Sequence, residues 1–276
     1  MNNLVKRILT AFFAVPVVVF SIWYNEWTYL ALFFIIGGLT MYEYMTLLQQ
    51  KGIILPTKVI GLGSALIYFY SFFYKKSFVS LSYIYVLYFS AFMVYIACLY
   101  QAKNKNSFES MVYSLSCLLY IAFPFSSLHL SAFTSVGYSY QIVLGYLLML
   151  WMNDSSAFFF GKMFGKHKLF YRISPKKTWE GAVLGVIFTV MGSFFIGKKY
   201  LGILSPNQWA IIALIVSIVS TYGDLLESLL KRELQIKDSG SIIPGHGGFM
   251  DRFDGFLLTS PLLGILLYFF RLNLLS

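Results

Sequence analysis

The sequence predicts an all-α, polytopic integral membrane protein, and three observations support this fold class. Of the 276 residues, 58% are hydrophobic and 12% are charged, whereas soluble domains carry roughly 45–50% apolar and about 25% charged residues. The apolar residues form runs of about 20, the length that a helix needs to cross a hydrocarbon core of ~30 Å. The alternating pattern of a membrane β-barrel is absent, and helices satisfy their own backbone groups in lipid.

About nine apolar runs define the predicted transmembrane helices. The first run follows Lys6 and Arg7, as a signal peptide would, but it reaches Trp23 and Tyr24 without an A-x-A-like cleavage site. We therefore expect an uncleaved first helix. The predicted spans lie near 8–24, 27–48, 56–74, 79–100, 110–130, 140–160, 179–197, 208–230 and 256–272.

The basic residues predict the orientation of these helices. With a cytoplasmic N-terminus, 16 of the 21 Lys and Arg residues fall in cytoplasmic connections and five fall on the other side, as the positive-inside rule requires. Both long charged loops, 161–178 and 231–255, then face the cytoplasm, where nucleotides are found. We expect a protein of a bacterial inner or plasma membrane with its active site on the cytoplasmic side.

The net charge of +10 indicates the class of partner. Positive charge suits anionic lipids and anionic substrates. Nucleic acid is not an expected partner, because the bases are divided among membrane loops and form no continuous basic surface.

The chain divides by function and not by linkers. Residues 1–139 are predicted to be membrane scaffold, and residues 140–276 carry the polar motifs. Cys98 and Cys117 fall in predicted spans without metal or redox spacing, so we expect buried residues without chemistry.

The densest polar segment covers residues 222–254 and contains six of the eleven acids of the chain. Ionised groups at membrane depth persist mainly where they meet ions, water, each other or a charged substrate. Within this segment Asp224, Glu227, Ser228 and Lys231 are spaced i, i+3, i+4 and i+7. They share one helix face if the eighth helix extends that far.

Three carboxylates of this segment form a candidate metal site. Asp251 and Asp254 are three residues apart at the start of the ninth helix, so they point the same way and can meet Asp224 from the eighth. An oxygen-rich pocket of this kind suits Mg²⁺. The alternative is that these acids only pair with neighbouring bases at the interface, and the spacing alone favours neither interpretation.

A glycine-rich stretch, residues 244–248, connects the two helix ends. Its three glycines after Pro244 let the backbone approach a ligand and can form an anion-binding concavity, although a flexible turn explains the pattern equally well. Neither a P-loop nor a dinucleotide-binding pattern is present.

A second polar cluster begins at Asp154 in the sixth span and continues into the loop that follows. Thr178 is the predicted N-cap of the seventh helix, with Glu180 in its first turn. Lys176 and Lys177 would add positive charge at this helix N-terminus, where anions bind well. Topology and lipid headgroups account for the other bases of this loop, which are Lys162, Lys166, Lys168 and Arg172.

Residues 228–254 contain the pattern S-x-x-K-R, then K-D after four more residues, then H-G-G and D-R-x-D. This pattern resembles the signature of the phosphatidate cytidylyltransferases, or CDP-diacylglycerol synthases. The segments N-D-S-S-A-F and S-P-K-K-T-W-E-G also resemble that family, so the motifs cover about residues 153–254.

This resemblance implies transfer of the cytidylyl group of CTP to phosphatidic acid in the membrane, with Mg²⁺ required and a homodimer as the assembly. The implied metal ligands are Asp224, Asp251 and Asp254, with room for a second cation. The implied catalytic residues are Lys231, Arg232, Lys237 and Arg252 for phosphates, His246 as a hydrogen-bond donor and Ser228 for positioning. Substrate would also meet Lys176, Lys177, Gly247 and Gly248, with Asp154 and Glu227 in support; His129 and His167 are given no role.

Two alternatives stay open. A membrane lipid kinase would share the helices and the acidic metal site but would release a nucleoside diphosphate in place of pyrophosphate. A transporter or channel would use Asp154 and Asp224 to line an ion path and would need no nucleotide.

Overall fold

The computed structural model describes residues 3–74, 81–100, 107–134, 137–236, 238–240 and 247–273, and helices account for most of them. The helices are α1 (Asn3–Tyr24), α2 (Glu26–Gln50), α3 (Thr57–Tyr74), α4 (Leu81–Leu99), α5 (Ser107–Ser116), α6 (Phe123–Ala132), α7 (Tyr140–Phe164), α8 (Trp179–Ile196), α9 (Pro206–Glu233) and α10 (Met250–Asn273). The π-helical turn Cys117–Ala122 continues α5 into α6, and a second one, Gly197–Leu201, extends α8. Two antiparallel hairpins pair β1 (Phe133–Thr134) with β2 (Gly137–Tyr138) and β3 (Lys168–Phe170) with β4 (Ser174–Thr178).

Each of the nine predicted spans overlaps a helical stretch, so the all-α membrane fold is confirmed. Seven helical stretches of the described residues are long and apolar enough to cross a membrane. The first predicted span contains a shorter apolar helix, Phe12–Tyr24, and the third corresponds to α3. The seven stretches are Glu26–Gln50, Ser82–Leu99, Ser107–Ala132, Tyr140–Phe164, Trp179–Tyr200, Pro206–Glu233 and Met250–Phe270.

Local capping signals explain where the later helices begin. The Ser205 hydroxyl accepts the N–H of Gln208, whose side chain accepts the N–H of Ser205, and Pro206 occupies the first turn of α9. This capping box satisfies backbone donors that lack partners within the helix. Thr178 accepts the N–H of Gly181 at 3.3 Å at the start of α8, which confirms the predicted N-cap.

The chain forms two compact units. The first comprises Met1–Tyr138 with Ile236–Phe253, and the second comprises Ser139–Gln235 with Asp254–Ser276. The first boundary lies one residue from the predicted division, but Ile236–Phe253 groups with the N-terminal unit. The assignment of scaffold and catalytic roles to the two parts of the chain stays a prediction.

The core of the first unit is aromatic. The buried His129 ring shares a 2.8 Å hydrogen bond between its Nδ1 and the Tyr29 hydroxyl, and it lies edge-on to Tyr68 with the ring centroids 4.2 Å apart. Cys98 and Cys117 are buried free thiols, as predicted. These residues therefore pack the core of the first unit.

Glycines bring helix backbones into contact in the second unit. A Cβ on Gly181 of α8 would lie 2.7 Å from the carbonyl oxygen of Ala157 and 2.8 Å from the Cα of Gly161 on α7. A Cβ on Gly223 of α9 would lie 2.7 Å from the carbonyl oxygen of Asp254 on α10. Side chains at these positions would separate the helices, so the glycines determine which polar residues of the unit come together.

Candidate functional site

A cavity of about 470 Å³ lies in the second unit and is lined by α7, the β3–β4 hairpin, α8 and α9. Four lysines and two aspartates supply its charges. This excess of positive charge raises the local concentration of anions, so the cavity suits a phosphate-bearing ligand. The lining residues are Asn153, Asp154, Ala157, Phe158, Gly161, Lys162, Lys168, Leu169, Lys176, Lys177, Thr178, Ala182, Ser220, Thr221 and Asp224.

The hairpin that carries three of these lysines is attached to the start of α8. The carboxylate of Glu180, in the first turn of that helix, accepts the backbone N–H groups of Lys166 at 3.1 Å and of His167 at 3.2 Å. The Nδ1 of His167 lies 2.6 Å from the same carboxylate. Sequence reasoning gave His167 no role, because nothing local marks its pairing with Glu180 thirteen residues later.

Asp224 and Lys177 form an ion pair inside the cavity. The ammonium of Lys177 also donates to the carbonyl oxygen of Thr221 at 3.5 Å, and the hydroxyl of Ser228 donates to Asp224 Oδ1 at 3.4 Å. The side chains of Lys177 and Asp224 are 25% and 39% exposed. Both groups are therefore accessible to a ligand that enters the cavity.

Asp254 joins Asp224 because α9 and α10 touch at Gly223. The charged neighbours of the Asp254 carboxyl group are Asp224, Asp154 and Lys177. Three carboxylates and one ammonium leave an excess of negative charge around Asp254. Carboxylate oxygens are the kind of hard donor that Mg²⁺ prefers, and Mg²⁺ at these residues stays a prediction.

The predicted site of Asp224, Asp251 and Asp254 is not seen as a complete metal-binding group. In the part of the chain that the structure describes, no group of three or more His, Cys, Asp or Glu residues is placed to hold a metal ion. Asp251 belongs to the first unit, whereas Asp224 and Asp254 belong to the second. Their joint role as metal ligands stays a prediction.

Asp251 binds backbone donors of the first unit. We call the described residues 238–240 and 247–250 together the signature loop. Asp251 Oδ2 accepts the N–H groups of Ser239 and Gly248, both at 3.0 Å. Gly247 has a φ of 85°, which favours glycine. Lys237 and His246 lie outside the described residues, so their predicted roles stay predictions.

Glu43 of α2 is a second carboxylate at the signature loop, and sequence reasoning assigned it no role. Its Oε2 accepts the N–H of Met250 at 3.0 Å and the hydroxyl of Ser239 at 3.5 Å. A Cβ on Gly240 or on Gly248 would lie within 2.7 Å of this carboxylate. The available signal was an acid inside an apolar span, which indicates a functional residue.

The bases at the end of α9 are placed differently from the cavity lysines. The ammonium of Lys231 lies 3.2 Å from the carboxylate of the buried Glu227. Helix α9 extends to Glu233, so the four residues Asp224, Glu227, Ser228 and Lys231 lie on one continuous helix, as predicted. Neither Lys231 nor Arg232 is among the described residues that line the cavity. Arg232 and Arg252 are exposed, and their phosphate-binding roles stay predictions.

Several lining residues were not selected from the sequence. The sequence alone explains Lys162 and Lys168 by topology and lipid headgroups, yet both line the cavity. Asn153 donates to the hydroxyl of Ser220 at 3.0 Å and to the carbonyl oxygen of Ser217 at 3.4 Å, and this links α7 to α9. A useful signal was the position of Asn153 beside Asp154 in an apolar span.

Comparison with known proteins gives consistent results. Phosphatidate cytidylyltransferases of Staphylococcus aureus (strain COL), Staphylococcus haemolyticus (strain JCSC1435) and Staphylococcus saprophyticus subsp. saprophyticus are 38%, 39% and 41% identical to the chain over 168, 172 and 171 residues. Each match covers 60% of this chain and 62% of the relative, so the chain spans about three fifths of the length of the curated relatives that it matches.

A family model extends the similarity over nearly the whole sequence. The model of the Cytidylyltransferase family matches residues 5–270. This range includes both polar clusters and, among the described helices, all of α2 to α9 and most of α1 and α10. The chain therefore belongs to the Cytidylyltransferase family.

Proposed function

We propose that the protein transfers the cytidylyl group of CTP to phosphatidic acid, forming CDP-diacylglycerol and pyrophosphate. The observation that carries this proposal is the cavity of the second unit, where four lysines face two aspartates among membrane-spanning helices. The name of the Staphylococcus relatives, phosphatidate cytidylyltransferase, supports the same reaction.

The chemistry needs charge neutralisation more than a strong base. The lipid phosphate has a second pKa near ~6, so it is largely ionised at neutral pH. One of its oxygens attacks the α-phosphorus of CTP, and the bond from that phosphorus to the oxygen bridging the α- and β-phosphates breaks. The bonding electrons leave with pyrophosphate. Two anions must meet in this step, so cations around them supply most of the catalysis.

The cavity lysines would bind and orient the phosphates. Lys176 and Lys177 precede the N-terminus of α8, where the helix dipole also favours anions. Lys162 and Lys168 add positive charge from α7 and from β3. Because Lys177 already pairs with Asp224, it can hold a phosphate oxygen beside that carboxylate.

Asp224 and Asp254, with Asp154 nearby, would hold Mg²⁺, and Asp251 is the third predicted ligand. When bound, this ion neutralises phosphate oxygens and stabilises the charge on the leaving pyrophosphate. The number of carboxylates leaves room for a second cation.

The lipid substrate would enter from the bilayer, so that its acyl chains remain in hydrocarbon. The exposed Phe158 and the side chain of Leu169 provide apolar surface at the cavity. We place the cavity on the cytoplasmic side of a bacterial membrane, because the positive-inside rule puts loop 161–178 there. A homodimer and the absence of a nucleic-acid partner are part of the same proposal.

Product analysis of the purified protein tests the reaction. The protein in detergent micelles receives phosphatidic acid, CTP and Mg²⁺, and the lipid and nucleotide products are identified by mass spectrometry. An Asp224→Asn variant, purified in the same way, controls for contaminating enzymes. We expect CDP-diacylglycerol and pyrophosphate in equal amounts from the wild type and at least about 10³-fold less from the variant, as for loss of a metal ligand.

Two results would contradict the proposal. A phosphorylated lipid together with CDP would identify a kinase. No nucleotide turnover by folded wild-type protein, together with ion flux in proteoliposomes, would identify a transporter.

A further inference from the structure

Glu43 is a buried acid of the first unit that the proposed reaction does not use. Its side chain is 4% exposed, and it lies on α2, a helix that is long and apolar enough to cross a membrane. A carboxylate in such surroundings is costly unless it binds strong donors. Its position therefore needs a specific explanation.

The contacts of Glu43 join two separate parts of the signature loop. Oε2 accepts the backbone N–H of Met250, the first residue of α10, at 3.0 Å, and the hydroxyl of Ser239 at 3.5 Å. The helix dipole favours a carboxylate at the N-terminus of α10. One side chain of α2 thus holds the residues on both sides of segment 241–246.

Two glycines make this approach possible. A Cβ on Gly240 would lie 2.7 Å from Oε1 of Glu43, and a Cβ on Gly248 would lie 2.6 Å from Oε2. Any larger residue at either position would displace the carboxylate. Gly240 and Gly248 are therefore needed for contact with Glu43, in addition to any contact with a ligand.

Asp251 depends on the same two segments. Its Oδ2 accepts the N–H groups of Ser239 and Gly248, which lie next to the groups that Glu43 holds. Release of the Glu43 contacts would let these donors move and would change the orientation of the Asp251 carboxylate.

We propose that Glu43 is a positioning residue whose carboxylate holds both described parts of the signature loop and so orients Asp251. This inference rests on the proposed function, in which Asp251 acts in cytidylyl transfer. It assigns a catalytic consequence to a residue of the N-terminal scaffold.

Two substitutions and one matched control test the inference. Glu43→Gln keeps the size and one acceptor oxygen but removes the charge that strengthens the hydrogen bonds. Glu43→Ala removes the contacts completely. Thr40→Val is the control, because Thr40 is equally buried and lies one turn earlier on α2, and its hydroxyl donates only within that helix, to the carbonyl oxygen of Ile36.

The first readout is the separation of kcat from KM in the CDP-lipid assay. We expect kcat to fall about 10-fold in Glu43→Gln and about 100-fold in Glu43→Ala, the scale of misplacing a catalytic group by ~1 Å. KM for CTP should change by less than about twofold, because the lysines of the second unit bind the phosphates. Thr40→Val should keep both constants.

The second readout, amide hydrogen exchange, needs no substrate. Exchange in Glu43→Ala should accelerate at residues 238–240 and 247–250 and remain unchanged in the rest of the first unit, since local opening changes only local protection. Without CDP-lipid formation by the wild type, the proposed function fails, and the exchange data still report whether Glu43 holds the loop.

Three results would overturn the inference. The first is a kcat within about twofold of wild type in both folded Glu43 variants, against the ~100-fold expected for misplacement. The second is exchange that accelerates uniformly across the first unit. The third is failure of both variants to fold. The second and third results would both mean that Glu43 stabilises the first unit as a whole and does not specifically position the loop.

Discussion

The cavity of the second unit and the signature loop of the first unit use the same residue type in different ways. In the cavity, Asp224 is neutralised by the side chain of Lys177 and contacts the hydroxyl of Ser228. In the loop, Asp251 accepts two backbone N–H groups, and Glu43 accepts a third. A side-chain partner such as Lys177 can move to bind a ligand, whereas hydrogen bonds to backbone N–H groups hold the conformation of the chain.

Two aspartates that are three residues apart on one helix have different contacts and can have different roles. Asp251 and Asp254 lie in the first turns of the same helix, α10. Asp251 binds the turn before that helix, while the charged neighbours of Asp254 are Asp224, Asp154 and Lys177. Substitutions in the cavity and in the signature loop can therefore test ligand binding and the positioning of the loop separately.

The largest effect is expected for Asp251→Asn, which removes the charge and keeps one acceptor oxygen for Ser239 and Gly248. If Asp251 also binds metal, turnover falls by about 10³-fold or more in a folded protein. Steady-state activity and circular dichroism of the purified variant measure this. Near-normal activity would exclude the metal role and leave Asp251 with loop contacts alone.

A smaller effect is expected for Lys177→Met on the cavity side. It removes the partner of Asp224 and a cation that faces the substrate phosphates, so kcat/KM should fall about 10²-fold, the upper end of the ~1.5–3 kcal/mol of a charged hydrogen bond. Lys166→Met is the matched control, because Lys166 is exposed and is not among the described lining residues. Equal losses in the two variants would show that total charge matters and that the position of Lys177 does not.

A still smaller effect is expected for Glu180→Gln. A carboxamide has one acceptor oxygen for the N–H groups of Lys166 and His167, so the hairpin that carries three cavity lysines should loosen. We expect kcat/KM to fall about 10-fold, equivalent to the loss of about one hydrogen bond. Kinetics of this variant beside Glu233→Gln, at the exposed end of α9, give the measurement. Equal kinetics in both variants would mean that the hairpin keeps its place without Glu180.

The smallest effect on activity is expected for Tyr146→Phe. The hydroxyl of this buried residue lies 2.6 Å from the hydroxyl of Thr259 and links α7 to α10 away from the cavity. Thermal unfolding in detergent should show a loss of about 1 kcal/mol, the net value of one hydrogen bond, with unchanged kinetics. A large change in kcat without loss of stability would place Tyr146 in the reaction path.

Much of the fold was predictable from local patterns. The nine apolar runs overlap helices, Thr178 caps α8, and α9 carries Asp224, Glu227, Ser228 and Lys231 without interruption. The site was predictable in part: Asp224, Lys176 and Lys177 line one cavity. Lys162 and Lys168 were not selected, since a base in a membrane loop has the same local pattern whether it binds lipid headgroups or a substrate.

Sequence patterns were sufficient to predict the apolar helices, the Thr178 N-cap of α8 and the candidate catalytic segments. These features depend on hydrophobicity, periodicity and capping over a few neighbouring residues. The contact of Glu43 with Met250, 207 residues later, and the proximity of Asp254 to Asp224 are apparent only in the folded chain. Such pairings depend on close packing between distant segments, here at glycines that allow carboxylates and backbones to approach, and no local pattern encodes which segments will meet.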